Sequence, residues 1–596
     1  MSERVRHRGP DAGGVFTDPS ACLALAMRRL SILDLEGGAQ PMHSPDGRYT
    51  IVYNGEIYNS RAIREALEAA GERFTSDHSD TEVLLRLLIR EGENCLPRLN
   101  GMFAFAFYDS VERTLLCARD RMGIKPFYYT AQGGRFAFAS ELKALLVLPF
   151  VGRDINRQAL FDYLSLLYVP AEQSILSSVQ RLPAGHYLKY SLGSRRLEIK
   201  RWWELEYVPD NSVGRADWPG LILDELRQAV VRWSQADVPV AVSLSGGLDS
   251  SAIAALSVQA GLNISAYSLG FEGPGEAAWN ELPLAREVAR KWGIPHHELV
   301  LSPERVLDAL TNMVEALDEP YGGGLPSWFV FEQMAGKVKV AHTGTGGDEL
   351  FGNYGKWRPL EGGFLRRCLP GAADTVDRAR FTREFFDRYY YFPDGAKRAI
   401  LADSGAACRD TSALLYERFA ERPHATLRDS VAAVDIGTQL PEEFLFMTDR
   451  FSMAHSIEAR IPFLDNGMVD LVRRIPARIR SHRGDLKYLL RKAVAPLLPS
   501  SLLHASKRGF VIPLGLWLRG PLRAKVEELL APDRLLAQGL FSASFYDVYV
   551  KPHLDGREEH TQRIWAAMMF QFWHCRFIEG ADALPEAGGI DALSRA

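Results

Sequence analysis

The sequence predicts a layered α+β sandwich over its first two hundred residues. An α/β fold on a parallel sheet follows, with a mainly helical remainder. Three observations lead there. Met102–Tyr108 (MFAFAFY) alternates aromatic with small residues, as a strand buried between two layers does. Two stretches repeat the order apolar strand, glycine-rich loop, helix: Val238–Leu244 before SGGLDSS, and Val338–His342 before GTGGDELFG. After Phe364 the pattern is mainly helical.

Taken in order, Thr50–Tyr53 is a short β-rich run that ends at Asn54-Gly55, read as a turn. Ala62–Ala70 and Thr81–Arg90 carry apolar residues at helical spacing. Phe127–Tyr129 and Phe136–Phe138 flank AQGGR and read as a hairpin. Strands outnumber helices here, which favours a sheet sandwich. PDNSVGRADWP has the composition of a loop, dividing the chain into a first domain 1–208, a linker 209–219 and a second domain 220–579. In the second, Ile264–Leu269 and His297–Leu301 read as further strands, and the alternation places helices on both faces of the sheet. The Ala/Gly-rich tail 580–596 is expected to be poorly ordered.

The chain has 596 residues, 24% charged and 47% hydrophobic, with a net charge of -4. That is the composition of a globular protein with two or three domains, each able to bury a core. With 70 basic against 74 acidic residues, bulk charge gives no reason to expect nucleic acid or an anionic membrane as partner. No apolar run approaches the roughly 18 residues that span a bilayer. The opening MSERVRHRGPD lacks the apolar core of a signal peptide. Six cysteines with no CxxC pair form neither a zinc site nor a disulfide framework, and a cytoplasmic location is expected.

Ser245–Ser251 (SGGLDSS) lies between a strand and a helix, a position that offers backbone N–H groups and a helix N-terminus to a phosphate. A bare Ser-Gly-Gly is what many helix caps use; the full heptapeptide after an apolar strand is far more specific. It lacks the lysine of the GxxxxGK[ST] loop, so it is not an ordinary kinase or GTPase loop. Asp249 would repel phosphate unless a divalent cation lay between them, which predicts Mg²⁺. The heptapeptide is the signature of the PP-loop ATP pyrophosphatases. Thr343–Gly352 (TGTGGDELFG), SIEARIPFLD (456–465), KYLLRKA (487–493) and SKRGFVIPLGLWLRG (506–520) resemble the asparagine synthetase family, in the family's order and over nearly the whole chain. The resemblance implies that Ser245, Gly246, Gly247 and Ser250 hold the pyrophosphate part of ATP. It implies that Leu269, Thr343 and Gly344 contact the adenosine half, and that Asp249 and Asp348 ligate Mg²⁺. Lys487 would steady the charge on the leaving pyrophosphate and acyl-adenylate, where a fixed cation lowers the barrier.

HRGPD (7–11), RRLSILD (28–34), NGEIYN (54–59) and SDTEVLL (79–85) resemble, in this order, a class II glutamine amidotransferase domain. Its fold is that of the N-terminal nucleophile hydrolases, two sheets between two helical layers (αββα). By that resemblance Arg29 grips the glutamine α-carboxylate, and Glu56 and Asp80 receive its α-ammonium. The side chain of Asn54 and the N–H of Gly55 form the oxyanion hole. In the family a cysteine at the mature N-terminus is the nucleophile, a few tens of residues upstream of HRGPD. This sequence begins at Met1, six residues before His7, and includes neither that cysteine nor the strand that carries it. Cys22 is internal and has no free α-amine. The expectation is a start placed downstream of the gene's true one; the competing reading is a truncation that uses ammonia in place of glutamine.

The family usually carries Glu or Asp where this sequence has Thr345, and the related β-lactam synthetases carry Tyr. A threonine needs an activating group before it can act as a base; Glu319 and Glu349 are the nearby acids available to compensate. The expected function is an ATP-dependent amide ligase that forms asparagine from aspartate through β-aspartyl-AMP, releasing AMP and pyrophosphate, with nitrogen from glutamine or ammonia. The same chemistry on another carboxylate (a surface sugar, a peptide or a secondary metabolite) is the second reading, and a non-catalytic relic the third. The partners expected are small molecules, with a homodimer compatible with the sequence.

Overall fold

In the computed structural model, the strand Gly101–Asp109 is buried along almost its whole length. Residues two apart on a strand share a face. Phe103, Phe105 and Phe107 join one core with Ile63, Leu67, Val83 and Leu88 from the helices Ser60–Ala69 and Asp80–Glu91. Ala104, Ala106 and Tyr108 join another with Leu25, Phe127, Tyr129 and Leu188. The aromatic side therefore meets helices, and the small side meets a second layer of strands. The structure describes residues 1–272, 280–361, 376–402, 407–421, 426–482, 485–505 and 514–580.

The strands of the first part are β1 (Ala12–Asp18), β2 (Leu23–Arg29), β3 (Met42–His43), β4 (Tyr49–Ile57), β5 (Gly101–Asp109), β6 (Thr114–Arg119), β7 (Tyr128–Gln132), β8 (Arg135–Ala139), β9 (Gln180–Arg181), β10 (His186–Ser191) and β11 (Leu197–Arg201). Six of them form an antiparallel sheet in the order β11-β10-β6-β5-β4-β3, opposed by β8-β7-β9 and the β1-β2 hairpin. The far side of β7 packs on the helix Arg157–Leu166, since Tyr128 shares a core with Leu160 and Tyr163. This is the expected αββα layering. The turn of the β7-β8 hairpin is Gly133-Gly134, both at positive φ (56° and 71°), as a tight hairpin needs.

One expectation fails here. β4 does not stop at a turn at Asn54-Gly55 but runs on to Ile57, with Asn54 opposite Ala104 and Gly55 opposite Phe103. Gly55 has φ +149°, and a Cβ there would lie 2.0 Å from the Met102 carbonyl oxygen. Glycine is needed for close approach within the sheet, not for reversal.

The second part adds β12 (Val240–Ser243), β13 (Ser265–Phe271), β14 (His296–Leu301), β15 (Val340–His342) and β16 (Glu458–Arg460), in one sheet of order β14-β13-β12-β15-β16. Every pairing is parallel. Val242, Leu244 and Ala266 pack with the helices Trp218–Trp233, Leu248–Gln259 and Leu282–Trp292. Ala241, Tyr267 and Ala341 pack with Leu310–Leu317 and Ser327–Met334 on the other face. The strand order reverses between β12 and β15, so the loops that leave them open a crevice at the carboxyl ends of the strands.

The mainly helical reading after Phe364 misses β16, three residues that pair with β15 amid helices. Residues 581–596 of the tail, and 506–513 of the SKRGFVIPLGLWLRG segment, lie outside the described residues. Among the described residues no helix is long and apolar enough to cross a membrane.

Phe105, 1% exposed, occupies the centre of the sandwich. Phe105→Ala is expected to destabilise the first part by about 3–5 kcal/mol, read as a lower urea midpoint of its unfolding transition. A loss under about 1 kcal/mol, typical of surface sites, would contradict that position.

Candidate active site

β12 delivers the chain to Ser245. Gly246 takes φ +81°, and a Cβ there would lie 2.7 Å from the Glu281 carbonyl oxygen. Ser250 Oγ accepts a hydrogen bond from Ser245 N (3.1 Å) and lies 2.9 Å from Ser245 Oγ, which itself accepts from Gly247 N at 3.2 Å. The two serines thus hold the loop closed on itself. The helix Leu248–Gln259 starts at Gly247 with no side-chain cap, so its positive end is presented to whatever the loop binds.

The loop after β15 interlocks with the first. A Cβ at Gly344 would lie 2.6 Å from Ser250 N, and one at Gly347 would lie 2.7 Å from the Asp249 carboxyl carbon. Thr343 N donates to Arg460 O of β16 at 2.9 Å, and Thr343 Oγ1 to Thr345 Oγ1 at 3.2 Å. This contact between loops brings Asp249 and Asp348 to the same cation. Lys487 Nζ is 2.8 Å from Asp348 Oδ1 and is also paired with Asp249. Burial disfavours its ammonium, but Asp249 and Asp348 outweigh burial and hold its pKa above the ordinary value. Lys487 sits in the left-handed region (φ 58°, ψ 24°), a costly conformation for a residue with a Cβ. Leu269 is buried on β13, the strand beside β12, with its backbone opposite Leu299.

Two carboxylates converging on one positive charge are hard oxygen donors that leave further positions for phosphate and water, which suits Mg²⁺. Among the described residues no three His, Cys, Asp or Glu side chains gather to hold a metal unaided. The residues therefore fit a metal that arrives with its phosphates.

Three buried acids of the second part have raised pKa values, Glu349 on the second loop among them. Glu349 Oε1 accepts from Tyr354 OH at 2.6 Å, and burial, reinforced by Asp348, pushes its pKa up to about 7. Glu443, which accepts from Gln439 Nε2 at 2.7 Å, is likewise pushed by burial to about 7. Glu319 is raised to about 7 by burial and accepts from Ile175 N at 3.3 Å.

In the first part, Arg29, Asn54, Gly55, Glu56 and Asp80 all line one cavity of about 910 Å³, which extends between the sheets past Leu25 and Phe127. Arg29 ends β2, and its guanidinium donates to the carbonyls of Leu33 (3.0 Å), Asp34 (2.7 Å) and Leu35 (2.9 Å). Asp80 starts its helix, and its Oδ2 accepts from Ile57 N (3.0 Å) and Tyr53 OH (2.9 Å). Burial raises the pKa of Asp80 and, with Asp80 adding to it, raises that of Glu56 well above the carboxylate range. Two buried acids side by side favour a ligand that brings positive charge. Asn54 Nδ2 is buried with no hydrogen-bond partner among the described residues, a donor available to an oxyanion. Glu56 also has partners that sequence reading did not find. Arg460, from β16, lies 3.3 Å away and holds Glu458, which in turn pairs with Lys125.

Two known families match separate stretches of the chain. Residues 221–575 match the family described as Asparagine synthase, and residues 1–203 match the Glutamine amidotransferase domain. The chain is 31% identical over 607 residues to Asparagine synthetase [glutamine-hydrolyzing] 1 of Bacillus subtilis, covering 97% of this chain and 93% of the relative. It is 33% identical over 629 residues to a Putative asparagine synthetase [glutamine-hydrolyzing] of Mycobacterium bovis, with 97% and 93% covered. It is also 28% identical over 604 residues to Amidase chyE of Penicillium rubens, with 90% and 87% covered.

Two substitutions separate binding from chemistry at the phosphate site. Gly347→Ala places a methyl group against the Asp249 carboxylate and is expected to weaken ATP-Mg²⁺ binding at least tenfold, about 1.4 kcal/mol, by calorimetric titration. Lys487→Met is expected to keep ATP binding within tenfold and to lower pyrophosphate release by about 10²–10³. Equal losses of binding and turnover in Lys487→Met would remove Lys487 from the chemical step.

Proposed function

The chain belongs to the asparagine synthase family and carries a glutamine amidotransferase domain; from that premise we propose that it forms asparagine from aspartate, ATP and the amide nitrogen of glutamine or free ammonia. The observation that carries the reading is Lys487, fixed between Asp249 and Asp348 where the two glycine loops meet.

In this reading Ser245, Gly246, Gly247 and Ser250 receive the β- and γ-phosphates through hydroxyls, backbone N–H groups and the helix end. Leu269, Thr343 and Gly344 border the adenosine. Bound Mg²⁺, held by Asp249 and Asp348, supplies charge neutralisation to the phosphates. An oxygen of the aspartate β-carboxylate attacks the α-phosphorus, and the bond to the α–β bridging oxygen breaks with its electron pair. Lys487 stabilises the charge that collects on that oxygen, and pyrophosphate leaves. The nitrogen lone pair of ammonia then adds to the acyl carbon. The carbon–oxygen bond to AMP breaks, and the nitrogen gives up a proton. In the first domain Arg29 holds the glutamine α-carboxylate and Glu56 with Asp80 holds its α-ammonium. Asn54 and Gly55 would stabilise the oxyanion formed when the thiolate of the family's N-terminal cysteine adds to the amide carbon and ammonia leaves.

A second reading keeps this chemistry and replaces aspartate by another carboxylate. Thr345 favours it, since its hydroxyl accepts from Thr343 and supplies no acid or base to the acceptor. The relative named Amidase chyE shows that chains of this kind carry other names. A non-catalytic relic is disfavoured by Lys487 and its two aspartates, because buried charges that bind nothing cost stability.

The deciding assay mixes the purified chain with ATP, Mg²⁺, aspartate and ammonium, and quantifies pyrophosphate and asparagine in the same tubes. Asparagine equal to pyrophosphate is expected. Pyrophosphate release that depends on a different carboxylate would establish the second reading. Bound ATP that is never turned over with any carboxylate tried would favour the relic.

A further inference from the structure

Glu56 faces two ways. It lines the cavity assigned above to glutamine, and its Oε1 lies 3.3 Å from the guanidinium of Arg460, a fully buried residue of the second domain. Arg460 is equally divided. Its side chain meets Glu56, which lines that cavity, while its backbone carbonyl accepts from the N–H of Thr343, the first residue of the second ATP loop, at 2.9 Å. One residue therefore contacts a member of each candidate site, through opposite ends.

Its guanidinium is anchored through Nε and Nη1, while Nη2, which faces Glu56, has no hydrogen bond among the described residues. Arg460 Nε donates to Glu458 Oε1 at 2.9 Å, and Nη1 donates to the carbonyls of Trp233 (3.0 Å) and Gln235 (2.6 Å). Glu458 continues to Lys125 of the first domain at 3.4 Å, and Lys125 to Asp449 at 3.9 Å, which Arg8 binds with both terminal nitrogens at 2.8 and 3.0 Å. The pairs cross the boundary between domains four times, at Glu56–Arg460, Lys125–Glu458, Lys125–Asp449 and Arg8–Asp449, and all six residues are buried. In such surroundings a charge is screened little, so a change in charge at one member is felt by the next.

We propose that Arg460 is a positioning residue that makes glutamine binding and ATP binding interdependent. The inference rests on the assignment of the cavity to glutamine. When an α-ammonium enters beside Glu56 and Asp80, it favours the ionised form of Glu56, which binds Arg460 by a charge-assisted contact. Arg460 is then held at both ends, and the Thr343 loop is held with it, ready for the nucleotide. The relation is reciprocal: ATP that orders the Thr343 loop fixes Arg460 and so favours the carboxylate that receives glutamine.

Titration calorimetry on the full chain tests this. Saturating glutamine is expected to lower the Kd for ATP-Mg²⁺ about tenfold, within the usual range of such couplings. Saturating ATP-Mg²⁺ is expected to lower the Kd for glutamine by the same factor. Arg460→Lys keeps the buried charge but shortens the reach to Glu56. It is expected to bind each ligand alone within about threefold of the parent and to bring the ratio of Kd values close to 1. A merely structural arginine would weaken both ligands and leave that ratio unchanged. Should Arg460→Lys not fold, Arg460→Gln with Glu458→Gln serves the same comparison, because removing one cation with one anion keeps the net buried charge of the cluster. Two ligands that bind the parent without affecting each other would overturn the coupling alone. Absence of any glutamine binding would overturn the cavity assignment and the coupling with it.

Discussion

Two carboxylates are forced together at the crossing of the two central loops, and much of the second domain follows from how that is tolerated. Gly344 lies under Ser250 N and Gly347 against Asp249, so no side chain can separate the loops. Asp249 and Asp348 must then share their surroundings, and two like charges in a partly buried site cannot both ionise without a cation. Lys487 answers that demand from a left-handed backbone position at the start of the helix Tyr488–Val494. The strain at that residue, the glycines and the parallel sheet that aims β12 and β15 at one crevice all serve the same meeting of charges. A site stabilised in this way is also prepared to exchange one cation for another. Asp249 and Asp348 are the residues that would hold Mg²⁺, which would supply charge neutralisation to a phosphate, and Lys487 supplies the positive charge that balances them in the structure.

The glutamine cavity applies the same principle with a different outcome. Glu56 and Asp80 are also neighbouring buried acids, but no lysine stands between them. Asp80 is satisfied by Ile57 N and Tyr53 OH, whereas Glu56 is left to Arg460 across the boundary. Both acids are consequently raised, where Lys487 was raised in the other site. A raised carboxylate pair is a site awaiting a cation; a raised lysine is a cation already engaged. The difference separates a pocket suited to an incoming cation, as proposed for an α-ammonium, from one proposed to hold phosphate.

What could be read from the sequence was what lies within one contiguous segment. SGGLDSS and TGTGGDELFG announce themselves because strand, loop and helix succeed one another locally. MFAFAFY gave away its two faces because period two is a local signal. Gly55 was misread because Asn-Gly is so often a hairpin turn. Only the Met102 carbonyl, brought in by the neighbouring strand, reveals that glycine is there for close packing. β16 was missed although Ile457, Ala459 and Ile461 alternate with Glu458 and Arg460, because three residues between helices are too few for the pattern to stand out. The partners of Glu56 were beyond reach for a further reason. Arg8 and Asp449 are 441 positions apart, and nothing local in either segment names the other.

The boundary between the domains poses a final question of economy. Apolar side chains of similar volume would hold two such bodies together at least as well, since desolvating charges offsets most of what their attraction contributes. Stability alone therefore does not account for Glu56, Arg460, Glu458, Lys125, Asp449 and Arg8 all being buried there. An apolar contact is indifferent to the charge of a ligand arriving nearby, while a buried ion pair is not. The ligands implied for the two sites are an α-ammonium on one side and a polyphosphate with its metal on the other. Beside its apolar contacts, the boundary carries a kind of contact able to respond to both.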